Sequence, residues 1–125
     1  MQNQTMKAVT TYPALVGNVL EQFRKEQGFN QGEVAKAVGI TQTTLSRMEN
    51  GQSSITVEHL KQLGDKLGIP PSQILYEAEK NALNMQMIGG VEIVKTDYDI
   101  PPLVVFLAGA ALTAFVFACV KGAKA

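Results

Sequence analysis

Apolar positions recur at helical spacing through most of this chain. After Pro13, the residues Val16, Val19, Leu20 and Phe23 form one stripe, which predicts a helix from about Pro13 to Gln27, stopped by Gly28. Val34, Ala35 and Val38 predict a second helix that starts after the N-cap candidate Asn30 and closes at Gly39. Thr41 caps a third, in which Leu45 and Met48 share an inward face and Gly51 lies just past the end. Thr56 caps a fourth, with Val57, Leu60, Leu63 and Leu67 predicted inward and Gly68 closing it. Pro70 and Pro71 open a fifth helix that runs to Gly89-Gly90. In it Leu75, Ala78, Ala82 and Met85 step by 3, 4 and 3, the spacing of a narrow coiled-coil seam. That seam predicts either a dimer contact or packing on the helix's own domain.

The two ends have other patterns. The opening stretch to Thr11 is polar and unpatterned, which predicts a flexible arm over residues 1–12. Residues 89–102 alternate briefly from Val91 and then turn polar, as a short strand or an extended linker does; Pro101-Pro102 blocks a continuous helix into the next segment. Leu103 to Val120 is a run of eighteen residues without a charge. As a helix at ~1.5 Å per residue it would be ~27 Å long, just enough to span hydrocarbon. The prediction is a transmembrane helix over 103–120 with a short basic tail at 121–125, carrying Lys121 and Lys124. A buried core helix and an oligomer-forming tail are the alternatives.

With 125 residues there is room for one small domain and something more. Net charge is zero, and Ala14–Tyr76 balances six Lys/Arg against six Asp/Glu. A neutral domain that binds nucleic acid lacks the phosphate neutralisation that usually supplies non-specific affinity. The single Cys119 rules out an internal disulfide and fits a reducing compartment. There is no Gly-rich phosphate loop, no metal-ligand spacing, and no nucleophile with a base; His59 is the only histidine. The chain is therefore expected not to be an enzyme, and to need no cofactor, metal or small-molecule ligand.

The chemistry-bearing face is that of the third helix, TQTTLSRMENG. Burying Leu45 and Met48 leaves Gln42, Thr43, Ser46, Arg47 and Asn50 on the other faces. Gln can bond adenine bidentately, Arg guanine, and Thr can offer a hydroxyl or methyl to a base edge. Helix, Gly-containing turn and polar-faced second helix make a helix-turn-helix pattern. On Gln31, Ala35, Gly39, Thr41, Gln42, Leu45, Ser46, Arg47 and the run Glu49-Asn50-Gly51, the stretch Gln31–Gly51 resembles the Cro/C1 phage-repressor (XRE-type) family; the likeness extends more weakly over about Ala14–Leu75.

The resemblance implies a five-helix Cro/C1-type domain; with the pattern read above, the expected fold is all-α, that domain over 13–88 with an extended last helix, then a linker and a single C-terminal helix. It implies a transcriptional regulator that binds double-stranded DNA as a homodimer. Gln42, Thr43 and Arg47 would read bases. Gln31 and Asn50 would clamp phosphates, with Thr44 and Ser46 as weaker candidates. Arg24 would pair with Glu49 as a structural pair. Leu103 to Val120 would anchor the protein by a single pass in the cytoplasmic membrane, the N-terminal domain inside the cell. That puts Lys121 and Lys124 on the far side, against the positive-inside tendency. The alternative is a membrane-anchored helix-turn-helix adaptor that binds a protein partner such as a cytoskeletal filament.

Overall fold

A computed structural model of the chain describes residues 7–96 and 104–123. The elements in order are β1 (Lys7–Thr11), α1 (Tyr12–Glu26), α2 (Gln31–Val38), α3 (Gln42–Glu49), α4 (Val57–Leu67), α5 (Pro71–Met87), β2 (Glu92–Val94), β3 (Val104–Phe106) and α6 (Gly109–Ala123). The fold is mostly helical, with six helices and a small sheet among the described residues.

The helix boundaries come from local chemistry. The Thr11 hydroxyl accepts the Ala14 N–H at 3.2 Å and so caps α1, with Pro13 in its first turn. Thr56 caps α4 through the His59 N–H at 3.0 Å. Buried residues of α1 to α5, among them Leu15, Leu20, Leu45, Met48, Leu63 and Ile74, meet in one core. Gly17 lets α1 and α3 close on each other: a Cβ there would lie 2.1 Å from the Met48 carbonyl oxygen. Val57, predicted inward, is 86% exposed, so α4 turns its first residue to solvent.

The ends depart from the sequence-based expectation. Lys7–Thr11, placed in a loose arm, form the central strand of a parallel sheet of order β2-β1-β3. Val9 to Thr11 pair with Glu92 to Val94, and Lys7 to Val9 pair with Val104 to Phe106. The region predicted as linker thus contributes β2. Each strand is short and its partners lie more than eighty positions away, so no local pattern announces the pairing. A parallel ladder also needs a long crossover between its strands. Here the whole helical domain is that crossover.

The charge-free run does not form one long helix. Val104–Phe106 enter the sheet, and the Leu107 N–H donates to the Val9 carbonyl at 2.7 Å. The Thr10 hydroxyl donates to the Leu107 carbonyl, also at 2.7 Å. Helix α6 then starts at Gly109 and has 15 residues, ~22 Å at ~1.5 Å per residue. No helix among the described residues is long and apolar enough to cross a membrane. The expected transmembrane helix over 103–120, and with it single-pass anchoring in the cytoplasmic membrane, is overturned. The physical reason is that the run is consumed by the domain. Leu107, Leu112 and Cys119 are buried, and α6 lies against α1 and α5. Burial pushes the Cys119 thiol pKa up. Lys121 lies within α6, while Lys124 is outside the described residues.

Packing against α1 and α6 also settles the spacing seen in α5. Ala78, Ala82 and Met85 are buried inside their own chain, so the seam predicted for a dimer is already occupied; Leu75 lies at its edge, 36% exposed.

Leu112 is fully buried, so Leu112→Ala should destabilise the chain by about 2–5 kcal/mol, the range for cavity formation in a packed core. Urea unfolding of the full chain followed by circular dichroism measures it. A change below roughly 0.5 kcal/mol, the size usual for surface substitutions, would show that α6 is not part of the cooperative core.

Candidate nucleic-acid interface

The centre of the domain is α2, a tight turn and α3. A capping box starts α2: the Asn30 side chain accepts the Glu33 N–H at 2.8 Å, and Glu33 accepts the Asn30 N–H at 3.0 Å. Gly39 ends it in the left-handed region, φ 81°, where residues with a Cβ are strained. Two residues later Thr41 caps α3 by accepting the Thr44 N–H at 3.1 Å.

Leu45 and Met48 anchor α3 from below, each 1% exposed. Gln42, Thr43 and Arg47 are exposed, Thr44 and Ser46 half-buried. At 100° per residue, Gln42, Thr43, Ser46 and Arg47 lie within about 140° of arc, a convex polar face with one cation.

The far end of α3 is held by a buried ionic cluster. Arg24 donates through Nε to Glu49 Oε2 at 2.7 Å and through Nη2 to Oε1 at 3.0 Å, a bidentate pair. Its Nη1 donates to the Phe29 carbonyl at 2.9 Å. Gln31 donates to Glu49 Oε1 at 2.9 Å. Glu49 is 1% exposed, so these donors replace the water it has lost. The hydrogen bonds to Glu49 raise the Arg24 pKa further. One carboxylate thereby ties α1, α2 and the α1–α2 turn to the end of α3.

The other expected contacts are distributed differently from the sequence reading. One N–H of the Gln31 amide is spent on Glu49 rather than projecting freely. The Thr44 hydroxyl is bonded to that of Thr41 at 2.8 Å. Asn50, half-buried at the C-cap of α3, donates to the Ser46 carbonyl at 2.9 Å. Its Oδ1 lies so close to Gly109 that a Cβ on that glycine would approach it to 2.3 Å. The start of α6 therefore abuts the end of α3, a contact with no signal in the sequence. A second missed group joins α6 to α1. Thr113 accepts from Asn18 at 2.7 Å and from Gln22 at 3.0 Å, and donates to the Gly109 carbonyl at 3.2 Å. Asn18 lies on the side of α1 opposite the predicted apolar stripe, where the sequence pattern gave no reason to expect burial. Among the described residues no group of His, Cys, Asp and Glu is arranged to hold a metal ion.

The helix-turn-helix family model matches residues 20–74. Two crystal structures of the clp gene regulator ClgR from Corynebacterium glutamicum are similar at 28% identity. One has a TM-score of 0.54 and covers 55% of this chain and 90% of that one. The other has a TM-score of 0.58, with 60% and 81% covered. A variant of the restriction-modification controller protein C.Esp1396I shares the fold at 21% identity and TM-score 0.53, over 58% of this chain and 91% of its own. No curated protein matches the chain. The match takes in α2 to α4 with the end of α1 and the start of α5, and the sheet strands and α6 lie outside it.

Removing one member of the buried pair strands the other, at about 3–5 kcal/mol. Arg24→Ala and Glu49→Ala should each destabilise on that scale, while the double variant costs less than their sum. A double-mutant cycle in urea checks this, and strict additivity would exclude coupling.

Proposed function

We propose that this chain is a sequence-specific DNA-binding transcription regulator that inserts α3 into the major groove. The observation that carries the reading is the exposure of Gln42 and Thr43 on the first turn of α3, and of Arg47 one turn further on the same face, in a helix whose far end is locked by Glu49. A helix that reads base edges needs free side chains at its N-terminal end and a fixed axis. The likeness to ClgR, named as a gene regulator, supports it.

In this reading Gln42 and Arg47 make the bidentate contacts, to adenine and guanine respectively, and Thr43 adds a hydroxyl or a methyl. Phosphate contacts are lean. Gln31 retains one amide N–H beside its bond to Glu49, and Thr44 and Ser46 flank the same face. Asn50 serves the end of α3 before it serves a phosphate. The exposed loop residues Gln52 and Ser54 add no cation.

Selection of bound fragments from random duplex DNA tests the reading. Arg47→Ala should cost about 1–3 kcal/mol at the selected site and relax preference at one base pair per half-site. The salt slope should be shallow, about three released counterions or fewer per protomer, since few cations face the duplex. Failure to enrich any motif, with Arg47→Ala indistinguishable from the parent, would overturn the reading in favour of a protein-binding adaptor.

A further inference from the structure

We infer that the end of β2 carries a phosphate contact of the DNA-bound state, in which Lys95 supplies the cation and Thr96 a hydroxyl beside the loop that follows α3. This rests on the DNA reading and adds to it two residues that lie outside the helix-turn-helix match.

The sheet puts that end in place. Its three strands are parallel, so they all finish on one side. Strand β1 finishes at Thr11, the N-cap of α1, in register with Val94 of β2. Lys95 and Thr96 therefore run past the start of α1. The start of α1 is in turn pressed on the end of α3: a Cβ on Gly51 would lie 2.6 Å from the Ala14 Cβ. On the other side of β1, the chain leaving β3 reaches Gly109, which abuts Asn50. The finishing side of the sheet is thus packed on the exit of the helix proposed to enter the groove.

Thr96 joins Pro13, Gly51, Gln52, Ser53 and Ser54 around a polar pocket of about 120 Å³. The lining offers three hydroxyls and a carboxamide, and no carboxylate. None of those four polar side chains bonds to another described residue. Among the residues expected at phosphates, by contrast, Gln31, Thr44 and Asn50 are engaged with Glu49, Thr41 and Ser46. Uncommitted hydroxyl and amide donors are the groups that meet phosphate oxygens.

What the loop lacks is a charge. Lys95 is exposed, one residue before Thr96, and among the described residues no carboxylate pairs with it. Glu92, the carboxylate of β2, is taken by Lys7 at 2.8 Å. The sequence continues with Asp97 and Asp99, so this end offers no broad positive field. The contact is one ammonium on one phosphate, and its source is position rather than net charge. Such a contact fixes register on the duplex and carries no sequence information.

Binding of the full chain to its selected duplex, titrated against salt by fluorescence anisotropy, tests this. Lys95→Gln should weaken binding about three- to tenfold, lower the salt slope by about one ion per protomer, and leave the enriched motif unchanged. Lys95→Arg should keep both affinity and slope. Thr96→Val removes a hydroxyl but no charge, so it should weaken binding about twofold or more at an unchanged slope. Both positions are exposed, and circular dichroism should show the parent's fold. Lys95→Gln with the parent's affinity and slope, Lys95→Gln with a changed motif, or Thr96→Val as tight as the parent would overturn the inference. If those variants match a parent whose motif Arg47→Ala still relaxes, this inference alone fails. A parent that enriches no motif removes the DNA reading, and this inference with it.

Discussion

The geometry of the helix-turn-helix depends on one buried carboxylate. Glu49 lies at the last turn of α3, nearly inaccessible to water, and would be costly there without partners. Arg24 from α1 and Gln31 from α2 supply its donors. The same guanidinium reaches the Phe29 carbonyl, so the α1–α2 turn is included. Close packing completes the lock, because Gly17 brings the α1 backbone against the Met48 carbonyl, one residue before Glu49. A hydrophobic contact could hold α3 near α1 with freedom to slide. A bidentate ion pair cannot slide without breaking, and breaking it leaves a bare charge in the core. The pair therefore contributes a fixed axis for α3 more than it contributes net stability.

A second constraint acts from behind. Helix α1 buries residues on two sides, one toward α3 and one toward α6. Asn18 on the α6 side is 2% exposed and needs a polar partner. Thr113 is that partner, and its bond to the Gly109 carbonyl fixes the first turn of α6. The start of α6 in turn meets Asn50 at the end of α3. The β1 strand closes the loop of contacts, since it leads directly into α1 and is paired on both edges. The appended elements are thus continuous with the domain's core and reach the same end of α3 that Glu49 holds from the front.

Local features were legible in the sequence to the extent that their physics is local. Asn30, Thr41 and Thr56 cap the helices they were expected to cap, and Gly39 takes the positive φ of the turn. The pairing of Arg24 with Glu49 was legible only through family likeness. What was misread depends on what lies opposite in space. The stepping of Ala78, Ala82 and Met85 correctly marks one buried stripe, but spacing does not say whether its cover is another chain or another helix of the same chain. The uncharged run from Leu103 has the same ambiguity, since hydrocarbon and a protein core both accept apolar side chains. Gly109, at φ 57°, and Thr113 distinguish the two after the fact: one starts a shorter helix just past the strand, the other needs a polar partner that α1 provides. The sheet was invisible because its three strands are short and each finds its partner across the whole domain.

Neutral charge bears on how the proposed reading would work. Most DNA-binding domains gain affinity from phosphates first and discriminate second. In this domain the lysines and arginines are matched by carboxylates, and Arg24 is buried in a structural pair. Lys61 and Lys25 are held by Asp65 and Glu21 on their own helices. What faces outward from α3 is one arginine among amides and hydroxyls. Such a surface gains little from any duplex taken at random, so its weak non-specific term does not compete with base contacts. In the proposed reading the remaining affinity comes from two copies acting together, because joining two weak half-site contacts multiplies their effect without adding a cation. The less a single copy gains from the DNA backbone, the more its occupancy of a site in that reading depends on pairing.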